Sequence, residues 1–134
     1  MSIQAQVNWI KDLQFVARSE DGPAVVMDSP ESGSGASPMA LLLMGTAGCT
    51  AVDVIAILEK KRMAVTDFQV NVFGTRAQEY PRRYTDIHFE YVVCGTGIQP
   101  RGVEQAIALS ETKYCGAMAS LNANFTHSYR IEEC

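Results

Sequence analysis

Four cysteines, Cys49, Cys94, Cys115 and Cys134, are the side chains in this sequence best suited to covalent chemistry. Their spacings are wide and contain no CxxC pair, which argues against a zinc site and against a dense disulfide framework. Cys49 lies within Gly45-Thr46-Ala47-Gly48-Cys49-Thr50, a patch of small residues in an otherwise bulky apolar run, so a reactant has room to reach its sulfur. Taken alone, a cysteine in an apolar helix is more simply a buried packing residue. Cys115 follows Lys113-Tyr114 and precedes Gly116-Ala117 at the expected start of a short helix. Backbone N–H groups and the lysine charge would favour a thiolate there. Cys94 falls on the polar side of its expected strand and Cys134 ends the sequence, so both read as incidental.

Asp53 stands one helical turn after Cys49 and shares its face. An ionised carboxylate there would disfavour a Cys49 thiolate, and a hydrogen-bonded or interface-paired role for Asp53 is the simpler expectation. His88 and His127 fall on different expected strands without ligand-spaced partners, so no metal site is expected. The formal net charge of −4 over 134 residues supplies no basic surface, and nucleic acid is not an expected partner. The opening residues lack the basic start and continuous apolar stretch of a signal peptide, so a cytoplasmic location is expected, with the cysteines starting as thiols.

The elements that must position these groups follow from periodicity and turn residues. Gln4–Trp9, Gln14–Arg18 and Ala24–Asp28 read as a three-stranded meander broken at Lys11-Asp12 and Asp21-Gly22-Pro23. Ser37-Pro38 resembles a helix cap followed by proline at the first helical position, and opens a helix to about Arg62. The stretch from Pro38 to Leu58 is long enough to span a bilayer. Asp53 near its middle and the strand-like segments on both sides favour a helix buried in protein instead, with no membrane partner. It is apolar on nearly every side, more than one small domain can cover, so a homodimer is expected. Phe68, Val70 and Val72, and then Ile87, Phe89, Tyr91 and Val93, alternate as strands. A helix after Pro100, a shorter one from about Tyr114 to Leu121 and a strand over Thr126–Ile131 complete an α+β order βββαββααβ in one domain, 1–134.

Several of these features, in order and spacing, resemble the OsmC/Ohr family across almost the whole chain. They are Ser37-Pro38 leading into the long helix, Gly48-Cys49-Thr50 inside it, Arg76 and Glu79-Tyr80-Pro81 between two strands, and Lys113-Tyr114-Cys115 near the end. The Ser-Pro-Met helix start, the Asp four positions after the cysteine and Thr126-His127-Ser128-Tyr129 are similar in particular to the YhfA-like branch. The resemblance implies curved sheets wrapping two central helices in an intertwined dimer.

It also implies a thiol peroxidase acting on organic hydroperoxides or hydrogen peroxide in oxidative stress defence. Cys49 would be the peroxidatic cysteine and Cys115 the resolving one, with an external thiol reductant and no cofactor. Organic-hydroperoxide members activate the thiolate with an N-terminal arginine and a glutamate at the start of the helix. Here Met39-Ala40 stand at that start with no carboxylate, and Lys11 and Arg18 are the candidate cations. The alternative functions are a non-catalytic member binding a small apolar or electrophilic ligand at the dimer interface, and a redox sensor.

Overall fold

The structure, a computed structural model, describes residues 1–134. Its element order is the expected α+β sequence, with one π-helical turn added between the last two helices. The chain forms two compact units, Met1–Leu42 and Leu43–Cys134.

In the first unit, β1 (Ala5–Lys11), β2 (Gln14–Ser19) and β3 (Ala24–Met27) pair antiparallel in that order. Asp12 takes the left-handed conformation that reverses the chain between β1 and β2, and its carbonyl accepts the Trp9 indole N–H at 2.8 Å. A Cβ at Gly35 would stand 2.4 Å from the Val26 carbonyl oxygen, so only glycine lets the segment after β3 pass this close. Ser37 then caps α1 (Pro38–Lys60), its hydroxyl accepting the Ala40 N–H at 3.1 Å. Every residue of β1 is exposed, including the apolar Val7, Trp9 and Ile10.

In the second unit, β4 (Ala64–Arg76) and β5 (Tyr84–Thr96) form a long antiparallel pair, and β6 (Asn124–Glu132) lies parallel to β5 on its other side. The central strand supplies the core. Ile87, Phe89, Tyr91 and Val93 alternate along β5 with no solvent exposure, each burial stabilising by about 1.5–3 kcal/mol. The helices α2 (Pro100–Leu109) and α3 (Gly116–Ser120) flank the π-helical turn Ser110–Tyr114.

The central helix is covered only in part by its own chain. It buries a single stripe, Thr46, Ala47, Thr50, Val54 and Leu58, while Met44 and Val52 remain 53% and 66% exposed. By length and composition α1 could cross a membrane. Its buried stripe, however, carries Thr50, whose hydroxyl is 2.8 Å from the Tyr91 hydroxyl of β5, so this face packs on protein rather than lipid.

Candidate functional site

Cys49 sits half-buried in the middle of α1 and Cys115 is buried at the cap of α3. The fold brings these two thiols together as neighbours, Cys49 standing close enough to raise the Cys115 thiol. The local chain explains the placement of Cys115. After α2 the helix widens into a π turn, closed by the Cys115 N–H donating to the Ser110 carbonyl at 2.8 Å. Cys115 then turns extended (φ −76°, ψ 97°) and its sulfur accepts the Met118 N–H at 3.4 Å, capping α3.

The electrostatics of Cys115 differ from expectation. Burial first, with the adjacent Cys49, pushes its thiol up to about 11, outweighing the backbone N–H of Met118 that lowers it. The Lys113 Nζ stands 5.2 Å from the centre of the Tyr114 ring. Cys115 is therefore a protonated thiol at neutral pH and not a ready thiolate. The glycines next to the two cysteines are not crowded. A Cβ at Gly48, beside Cys49, or at Gly116, beside Cys115, would meet no atom within 4 Å.

Asp53 behaves as the simpler expectation had it, its Oδ2 accepting the Ser110 hydroxyl at 2.9 Å. The Ser110 hydroxyl is also 2.8 Å from that of Thr50, which in turn is 2.8 Å from that of Tyr91. Burial pushes Tyr91 up to about 12. This buried line of hydroxyls escaped the sequence reading. Its one legible signal was Thr50, a polar residue on the apolar stripe of α1. Beside it, Glu111 of the π turn pairs with His127 of β6, Oε1 to Nδ1 at 2.9 Å.

The remaining candidates have partners of their own. Lys11 and Arg18 belong to the first unit, Lys11 beside Asp28 and Arg18 in a surface hollow with Gln4 and Glu20. The Asp28 carboxyl is held below its usual range by the Ser32 and Ser34 hydroxyls first and only weakly by Lys11. His88 is bonded to Thr126 and Ser128, and no three His, Cys, Asp or Glu side chains gather as a metal centre would need. One sequence reading is corrected. Cys94 and Cys134, taken as incidental, are joined in a disulfide with Cα atoms 5.6 Å apart. The parallel register sets Cys94 opposite Glu132, so Cys134 follows two residues on and reaches back. A pairing across parallel strands is invisible to spacing along the chain.

Comparison with known proteins defines the class. A model of the OsmC-like protein family matches residues 31–130, and the chain belongs to that family. It is 37% identical over 131 residues to Protein YhfA of Escherichia coli K12, covering 96% of this chain and 98% of YhfA. Among solved structures, an OsmC-like protein from Mycoplasma pneumoniae superposes with a TM-score of 0.84 at 16% identity, covering 98% of each chain. The organic hydroperoxide resistance protein OhrB of Bacillus subtilis superposes at 0.65 with 12% identity, covering 97% of this chain and 98% of that one. At such identities the likeness is one of fold.

Proposed function

We propose that this protein is a thiol-dependent peroxidase that reduces organic hydroperoxides or hydrogen peroxide through Cys49 and Cys115. The observation that carries the reading is the contact between the two free thiols. Cys49 is the attacking residue because it is the more exposed and Cys115 is held protonated by burial. The Cys49 thiolate attacks one peroxide oxygen, an S–O bond forms as the O–O bond breaks, and the alcohol or water leaves after taking a proton. The sulfenic acid condenses with the Cys115 thiol, releasing water and forming a disulfide, which an external dithiol reduces by exchange. No metal or flavin enters this cycle, and its setting on this reading is the cytoplasm.

A homodimer belongs to the same proposal. Val7, Trp9 and Ile10 on β1 and Met44 and Val52 on α1 are more than half exposed, and a second copy of the chain would cover them. Sedimentation at micromolar concentration should give the two-chain mass; a stable folded monomer overturns the dimer.

A second reading is a ligand-binding protein without turnover, favoured by the open space along Gly45 and Gly48 beside exposed Met44 and Val52. Peptide mapping by mass spectrometry after one equivalent of peroxide separates the two. The peroxidase reading expects a Cys49–Cys115 disulfide that a dithiol reverses. Thiols left free while peroxide persists would favour the second reading.

A further inference from the structure

Two segments of chain carry the neighbouring thiols, and one residue between them is bonded to both, to one through its backbone carbonyl and to the other through its side chain. Ser110 has no solvent exposure. Its carbonyl oxygen accepts the Cys115 N–H at 2.8 Å, which closes the π turn. Its hydroxyl donates to Asp53 Oδ2 at 2.9 Å and lies 2.8 Å from Thr50 Oγ1. Thr50 is the residue after Cys49, and Asp53 is one helical turn further along α1. Ser110 thus grips the backbone of Cys115 with one oxygen and the Cys49 segment of α1 with the other.

Counting protons fixes the direction of the grip. A hydroxyl has one proton to donate and two lone pairs to accept with. The Ser110 proton goes to Asp53, so Ser110 accepts from Thr50. The Thr50 proton is then committed, so Thr50 accepts from Tyr91 at 2.8 Å. The chain Tyr91, Thr50, Ser110, Asp53 runs one way and ends on a carboxylate, where hydrogen bonds are strongest. Tyr91, Thr50 and Ser110 are fully buried, so water does not compete for the links. The π turn adds to this, because widening the helix by one residue changes the direction in which Cys115 leaves it.

We propose that Ser110 is a positioning residue for the two-cysteine reaction. It holds Cys115 against Cys49 so that the disulfide forms quickly and favourably, and takes no part in the attack on peroxide. The proposal rests on reading Cys49 and Cys115 as a redox pair. It does not require that peroxide be the natural oxidant. Two thiols held together behave as though each were present at high concentration for the other, and loosening one of them lowers both the rate and the equilibrium of bond formation.

The test uses the whole protein equilibrated with mixtures of glutathione and glutathione disulfide, in which glutathione disulfide takes the two electrons and two protons of the dithiol and leaves as two glutathiones. Peptide mapping reads the state of Cys49 and Cys115. Ser110→Ala should lower the equilibrium constant for their disulfide by about tenfold or more, equivalent to about 30 mV. Asp53→Ala, which removes the acceptor from a half-buried site, should shift it in the same direction. In single turnover with peroxide, Ser110→Ala should react at Cys49 within about twofold of wild type. Its sulfenic acid should then persist long enough to be trapped with dimedone, a split between steps that a general loss of packing would not produce.

Wild-type equilibrium constants in Ser110→Ala and Asp53→Ala overturn the proposal. Should Ser110→Ala not fold, Asp53→Ala alone decides it. A shifted glutathione equilibrium beside a wild-type protein inert to peroxide upholds the positioning role and removes the peroxidase reading. A wild-type pair that stays reduced in glutathione disulfide alone overturns both.

Discussion

The two cysteine pairs of this chain occupy contrasting surroundings. Cys94 and Cys134 are bonded at the end of the parallel β5–β6 pair, where a regular ladder sets the distance between them. Cys49 and Cys115 remain thiols, brought together by a helix, a π turn and a line of buried hydroxyls. The first pair ties down a strand; the second leaves its sulfurs adjacent, unbonded and bordered by glycines with open space beside them. The difference teaches that a cysteine's role depends on what holds its segment in place, since all four stand as single residues in the sequence.

The largest effect should come from breaking the thiol pair. Cys49→Ser should lower peroxide consumption by at least about a hundredfold, as loss of a nucleophile does. Cys115→Ser should consume about one equivalent and then stall with Cys49 over-oxidised. Peroxide assays with a dithiol reductant check both, and inactivity confined to Cys115→Ser would reverse the roles. The joined pair should behave in the opposite way. Replacing Cys94 and Cys134 together by alanine should leave turnover within about twofold while reducing unfolding stability by about 2–4 kcal/mol, measured in urea without reductant. A loss of turnover with unchanged stability would erase the contrast between the pairs.

A smaller effect should follow from cutting the hydroxyl line at one link. Thr50→Val leaves the buried Tyr91 hydroxyl without its partner and removes the donor to Ser110, which keeps its bond to Asp53, and should destabilise the protein by about 1–3 kcal/mol in urea unfolding. Valine at wild-type stability would mean that the line is not holding the thiol pair. The smallest effect is on the pH dependence. Burial raises Cys115 from 9.0 to about 11, so between these values the unfolded chain loses a proton that the native state keeps. The associated stability is fully present below about pH 9 and is lost as pH rises through about 11. Tyr91, raised from 10.0 to about 12, adds a fall of the same sign at slightly higher pH. Cys115→Ser should flatten the earlier part of that decline, and an unchanged alkaline profile would place the Cys115 thiol in a wetter setting than its burial implies.

Much of the fold was legible because its signals are local. Alternation along Ile87, Phe89, Tyr91 and Val93, the Ser37-Pro38 helix start and the turn residues between strands all act within a few positions. The parallel pairing of β5 with β6 was not, since strand partners are chosen by packing across the sheet. The π turn was also missed, because nothing in Ser110–Tyr114 distinguishes it from one more turn of α-helix until Ser110 meets Asp53.

The site divides along the same line. The residue types, the small neighbours of Cys49 and the order of motifs belong to the sequence by itself, and with them the family and the candidate thiols. The contact of Cys49 with Cys115, the partnership of Cys94 with Cys134, the alkaline shift of Cys115 and the grip of Ser110 on both thiol-bearing segments were decided by tertiary structure alone. Each depends on atoms far apart in the chain and close in space, where burial sets the dielectric and packing sets the distance, and neither quantity exists until the chain has folded.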